Sequence, residues 1–220
     1  MIRFVSRLTA AVLLCSALPA LAQEAPPAGA ARPCELHVWP AEDFHTVYYG
    51  WGHGGTIDGG FKQRTGYARL WVDPLSMARQ AEILAAQPLP AQLGLTDYRL
   101  VIHPQRLSSQ AIRTTATRLA PDTPTCYAEL VVDTVVLQHN VLSGKGLNVI
   151  YRFRQFDSGP APVRSLGTFI VQPIALALSD KELPEPAAFA AEMERAYVAT
   201  IGEFAVRLQA PPKRKAKHKP

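Results

Sequence analysis

The chain has 220 residues, 48% hydrophobic and 19% charged, with 23 Lys and Arg against 18 Asp and Glu for a formal net charge of +5. The length suits one domain. The positive balance lies at the two ends: Arg3 and Arg7 stand near the start, and Lys213, Arg214, Lys215, Lys217 and Lys219 crowd the last positions. Taking those seven cations from +5 leaves −2 for the body, which excludes the basic surface that nucleic-acid binding by the domain would need.

Residues 1–22 read as an export signal. Arg3 and Arg7 give a charged start, 8–18 an apolar segment, and Ala20-Leu21-Ala22 a small-residue cleavage site. The apolar part is too short to span a bilayer, so no transmembrane segment is expected after cleavage. Leu14 precedes Cys15 where a lipoprotein signal needs a small residue. Cleavage after Ala22 leaves 198 residues, located in the periplasm or secreted. They begin with an Ala/Pro-rich linker, 23–33.

Two cysteines then remain, Cys34 and Cys126. In an oxidising compartment an even pair reads as a disulfide rather than a metal site. Each stands just before a candidate strand, so the two are expected at the same end of neighbouring parallel strands. Two separate buried thiols are the alternative.

Alternation in Glu35-Leu36-His37-Val38-Trp39 predicts a strand that Pro40 stops, and 46–49 a further short one. Next comes the most unusual composition in the chain, GWGHGGTIDGG at 50–60. Gly50, Gly52 and Gly55 match the dinucleotide pattern G-x-G-x-x-G, but no amphipathic helix opens at Gly55, so the match fails on context. Trp51, Tyr48 and Tyr49 with these glycines give a possible stacking surface for a sugar or partner peptide; the alternative is a loop folding its aromatics back on the sheet. His45, His53 and Asp58 flank the same loop. A zinc site from them is a minor reading against ordinary loop polar residues, and neither a metal nor an organic cofactor is expected.

Asp73-Pro74 announces a helix running to about Ala86, with Asp73 as cap and Pro74 in the first helical position. A strand is predicted at 99–103. Segment 107–119 is ambiguous, because Ser108 or Ser109 offers a cap while Thr114, Thr115 and Thr117 weaken a helix. Three strands follow in a meander: 127–139, crowded with β-branched residues; 147–156, alternating apolar and polar; and 166–174. Ser143-Gly144-Lys145-Gly146 supplies the first turn. Phe189, Met193, Tyr197, Ile201, Phe204 and Leu208 recur at three or four residues and predict a long helix over about 185–208 with one apolar stripe. The domain is expected to cover 34–208, with 209–220 a disordered basic tail.

The fold class expected is α+β, an alpha/beta sandwich. It has a mixed sheet of about five strands with a C-terminal antiparallel meander, covered on one face by a long C-terminal helix and a shorter one. No H-E-x-x-H, G-x-S-x-G, C-x-x-C or complete P-loop is present, and nothing in the residues points to an enzyme.

The element order resembles the small α/β domain of the amino-terminal part of TolB and of the curli secretion protein CsgG. The likeness is carried most by Tyr127-Ala128-Glu129-Leu130-Val131-Val132 leading, after a turn, to Val149-Ile150-Tyr151-Arg152-Phe153-Arg154-Gln155-Phe156-Asp157. It implies a non-enzymatic bacterial envelope protein whose partners are another envelope protein or an anionic envelope polymer. The glycine-rich insertion, the paired cysteines and the missing lipidation signal depart from it. The tail cations Lys213, Arg214, Lys215, Lys217 and Lys219 would supply salt-sensitive attraction to an anionic surface. The other function class is a ligand-binding, glycan-binding or hydrolytic protein with its site at 50–60.

Overall fold

The computed structural model describes residues 33–42, 44–49, 73–140, 144–176 and 184–211. In chain order the elements are β1 (Cys34–Trp39), β2 (Phe44–Tyr49), α1 (Met77–Ala86), α2 (Leu89–Gln92), β3 (Tyr98–Ile102), α3 (Ser109–Thr114), β4 (Tyr127–Asn140), β5 (Gly144–Phe156), β6 (Pro162–Pro173) and α4 (Pro186–Gln209). The expected α+β class holds. The sheet is mixed and runs β3-β1-β4-β5-β6, with β2 also paired to β4. β1 and β2 lie parallel to β4, one along each half of its length, with Glu35 opposite Tyr127 and Phe44 opposite Val135. β4, β5 and β6 form the antiparallel meander.

Alternation gives each strand one side chain in two to each face, and the two faces differ in chemistry. Leu36 and Val38 of β1, Ala128, Leu130 and Val132 of β4, and Leu147, Val149, Tyr151 and Phe153 of β5 are buried on the inner face. A register shift between Val132 and Thr134 changes the parity of β4, so that Val135 and Leu137 rejoin this face. Such a bulge re-aims side chains without ending the strand.

α4 lies over the inner face. All six residues of its predicted stripe are buried, each contributing about 1.5–3 kcal/mol of apolar transfer as a fully buried side chain. Its polar interior is paired as well: Tyr151 Oη lies 2.7 Å from Thr200 Oγ1. α1 packs beside it, and the guanidinium of Arg79 grips the Glu194 carboxylate with two 2.8 Å hydrogen bonds. Buried Gln80 on α1 accepts from the Ala41 amide at 3.0 Å and donates to the Leu75 carbonyl at 2.7 Å, tying the helix to the end of β1.

Three expectations change. α1 opens at Met77 with Ser76 as its cap, because the Asp73 carboxylate instead accepts from the Leu75 amide and closes a turn ahead of the helix. Gly144-Lys145-Gly146 belongs to β5 rather than to a turn, pairing with Asn140, His139 and Gln138. β6 begins at Pro162, four residues before the predicted start. The ambiguous segment is helical only over the six residues of α3, where Ser108 Oγ accepts from the Ala111 amide at 3.1 Å.

The outer face as candidate functional site

The predicted cysteine pair is joined. Cys34 and Cys126 form a disulfide with Cα atoms 4.9 Å apart, at the same end of two parallel strands, as the positions before each strand required. Of the residues proposed around the glycine-rich loop, His45 is exposed on β2 opposite Val136, and Tyr48 and Tyr49 end that strand opposite His139 and Asn140. Trp51, His53 and Asp58 lie outside the described residues, as do residues 1–22, read above as a signal, and Lys213, Arg214, Lys215, Lys217 and Lys219. Among the described residues no group of three or more His, Cys, Asp or Glu is arranged to hold a metal ion, and no helix is long and apolar enough to cross a membrane.

The described polar chemistry collects on the outer face, in two clusters the sequence did not single out. The first lies at the β3–β1 corner. Arg99 Nη2 donates to Glu35 Oε1 at 2.5 Å, Glu35 Oε2 meets His37 Nε2 at 2.9 Å, and His37 Nδ1 lies 2.7 Å from His103 Nε2. The His103 ring stacks on Trp39 with centroids 4.2 Å apart and planes 3° from parallel. The hydrogen bond from His37, opposed by burial and helped by Arg99, holds the Glu35 carboxyl below its usual range. Burial, then the charge of His37, pushes His103 down.

Two ring nitrogens at this separation share one proton; charging both sets donor against donor. His103 binds a proton less readily folded than unfolded, so its contribution is complete above about pH 6.5 and is lost as the pH falls. Glu35, with its folded value depressed, loses its contribution only below about pH 4.5. The stability difference between the parent and His103→Gln, read from urea midpoints, is therefore expected to shrink between pH 7.5 and pH 5. A difference that stays constant or grows on acidification would contradict the assignment.

The second cluster centres on Glu129, fully buried on β4. Its Oε2 accepts from the Leu119 amide at 3.1 Å and the Tyr127 hydroxyl at 2.8 Å, and its Oε1 takes the Nε of Arg154, which stands opposite on β5. Burial pushes this carboxyl up, opposed by the Leu119 amide and by the charge of Arg154. Burial and the neighbouring Glu129 push the Tyr127 phenol far up. Arg154 Nη1 donates to the Thr115 carbonyl at 2.5 Å, while Nη2 is buried without a partner. Beside it, Arg152 Nε donates to Asp133 Oδ2 at 2.8 Å. α3 and the chain after it arch over this half of the face, with Ile112 packed on Trp39 and Val131. Arg118 fastens the arch through the carbonyls of Pro124, Thr125 and Asp157, at 2.8, 2.8 and 2.6 Å. A cavity of about 320 Å³ lies between this cover and strands β4 to β6.

The β6 side of the outer face is apolar and exposed. Val163, Phe169 and Val171 are 67%, 65% and 45% accessible, and Ile150 stands beside Phe169 in the pairing. Among the described residues β6 has no strand on its far side. α4 serves it instead: Arg207 Nη1 donates to the Phe169 carbonyl at 3.0 Å and Arg195 Nη2 to that of Pro173 at 3.3 Å.

The sequence carried a faint signal for the Glu129 cluster. An acid sits within a β-branched strand, and the next strand of the meander alternates arginines. The register that brings them together requires the turn geometry, which residue types alone do not set.

No protein-family model matches the chain, and no curated protein matches it. Among solved structures it is similar to protein XCC0632 from Xanthomonas campestris, of the family DUF330. The two are 13% identical, with a TM-score of 0.38 over 82% of this chain and 86% of that one. A likeness this distant assigns no role to the residues above.

Proposed function

We propose that the protein is an exported, periplasmic member of the bacterial cell envelope, akin to the TolB amino-terminal and CsgG domains, and that it works through contacts rather than by turnover. The partner in this reading is another envelope protein, and the basic tail adds attraction to anionic envelope polymer. The observation that carries it is the pair of exposed apolar side chains Phe169 and Val171, neighbours on one sheet face with Ile150 beside them. Monomeric soluble proteins rarely leave large contiguous apolar patches open, and those that do use them for contacts. The Cys34–Cys126 bond supports the compartment, since disulfides persist where the surroundings are oxidising.

The test places a photo-cross-linking residue at position 169 of the full chain in cells, with position 82 on α1 as control. The reading expects the chain in the periplasmic fraction and one cross-linked envelope protein of defined mass at 169. That adduct should be absent at 82 and lost when Val171→Asp is added. A cytoplasmic location, or equal cross-linking at both positions, would sink it.

A further inference from the structure

We propose that the contact between His37 and His103 is a proton-sensitive latch on the α3 arch. With one proton between the rings the arch is held shut at its β3 end, and a second proton releases that end.

The gap between the rings takes one hydrogen. Glu35 Oε2 accepts from His37 Nε2, which leaves His37 Nδ1 facing His103 Nε2 at 2.7 Å. One hydrogen fits there whether the pair is neutral or carries a single charge. A second charge puts a hydrogen on both nitrogens, and neither can then accept. The ring that must yield is His103. His37 is buried and fixed by Glu35, whereas His103 lies past the end of β3 and is half-buried. The indole of Trp39 attracts an imidazolium stacked on it but offers no acceptor in the plane of that ring. The balance is a proton held less readily in the folded chain, through burial and then the charge of His37.

The charges around the pair do not relieve it. On β3, Arg99 pairs with Glu35, whose carboxyl is held below its usual range and stays ionised at pH 5. From β4, Tyr127 meets His37 edge-on with centroids 5.0 Å apart, and its phenol, pushed far up, stays neutral. Arg106, in the segment after β3, pairs with Glu42, and α3 carries the exposed Arg113. Glu129, bonded to Tyr127 and Arg154, has its carboxyl pushed up by burial. A proton on Glu129 therefore favours the folded form and works against opening.

The latch acts on a weak element. Pro104 to Leu107 join His103 to Ser108, the cap of α3. α3 has six residues, too few to hold a helix without packing. Its buried Ile112 packs with Val131 and Trp39, the same indole that His103 covers. The far end of the arch is pinned by Arg118 through the Pro124, Thr125 and Asp157 carbonyls, and a guanidinium keeps its charge throughout. One end thus responds to pH and the other does not. Release of His103 lifts the arch about Arg118 and uncovers Trp39.

The experiment follows hydrogen exchange at the Ile112 and Thr115 amides of the intact, disulfide-bonded chain at pH 7.5 and pH 5. Each rate is divided by that of an unstructured chain at the same pH. These amides donate to the Ser108 and Ala111 carbonyls and are freed when the arch opens. Both are expected to exchange faster than the amides of α4 at either pH, because the opening is local. Opening should be several-fold more frequent at pH 5, with a ceiling of about thirtyfold set by the ordinary histidine value near 6.5. The ratio between the two pH values should fall to about one in His103→Gln and in His103→Phe, the second of which keeps a ring for Trp39. It should persist in Glu129→Gln. The proposal is overturned if the parent's ratio is one, or if the two amides exchange only as fast as those of α4. It is also overturned if both His103 variants keep the parent's ratio, or if Glu129→Gln loses it. None of these outcomes bears on the cross-linking test at position 169.

Discussion

Replacing Cys34 and Cys126 together with serine is expected to lower the unfolding free energy by about 2–5 kcal/mol, obtained from the urea midpoint and slope together, the slope rising as the unfolded chain is released from its tie. The two cysteines are 92 positions apart, so the bond closes a loop holding β1, β2, α1, α2, β3 and α3. The chain-entropy account places a loop of that length near the top of the range, at about 4–5 kcal/mol, and engineered cases often give less. The parallel pair β1–β4 makes the effect local as well as global. Parallel strands need a long connection to meet, and here the bond secures the first rung, where Glu35 donates its amide to the Cys126 carbonyl at 3.3 Å. Reduction of the parent protein should reproduce the double-serine midpoint. A midpoint that does not move would show the sheet indifferent to the tie.

Arg154→Met should be comparably damaging, costing about 3–5 kcal/mol at neutral pH, because it leaves Glu129 as a buried charge without its counterion. The cost has a pH signature. Removing Arg154 drives the already raised Glu129 carboxyl further up, and a carboxyl that has taken a proton no longer demands a cation. A raised folded value favours the native state below the unfolded value of about 4.5 and loses that advantage as the pH rises through the folded one. The difference between variant and parent should therefore be largest near pH 8 and shrink toward pH 5. Adding Glu129→Gln should recover much of the loss at neutral pH, since the amide can still accept from the Leu119 amide and the Tyr127 hydroxyl. A loss equal at both pH values, or a double variant as weak as the single one, would refute the role given to this pair.

The fold was legible wherever periodicity extended over several repeats. Phe189 to Leu208 marked α4 because six apolar residues at three- and four-residue spacing admit one helical face. The β-branched run in β4 and the alternation in β5 fixed two strands to within a few residues. Misreadings arose where one residue type serves two purposes. Asp73 caps helices and also closes turns; Ser76, three positions on, took the cap. Gly144 and Gly146 read as a turn, yet Gly146 sits inside β5 because the next strand crowds it. A Cβ there would lie 3.0 Å from Val171 Cγ1 and 3.3 Å from the Gln172 carbonyl, so the glycine answers a tight approach.

The site was less legible than the scaffold for a physical reason. Glu35 with Arg99, His37 with His103, and Glu129 with Arg154 are partners from different segments, and such pairs depend on register and, for the last, on the bulge after Val132. Composition does not carry that information. The disulfide could be read because both cysteines stood at the start of predicted strands and an expected oxidising compartment favoured pairing. The loop at 50–60, where the residues looked most unusual, lies outside the described residues.

The arginines that α4 sends to β6 bear on how this protein can associate. An edge strand with free backbone groups invites another strand to add to it, and an exposed apolar row on the same strand would make that addition self-propagating. With the Phe169 and Pro173 carbonyls occupied by Arg207 and Arg195, an incoming strand loses acceptors at two points of its ladder. Any association at this edge is thereby directed to side chains and away from the main chain. The strand can keep its apolar side chains exposed without serving as a seed for fibrils.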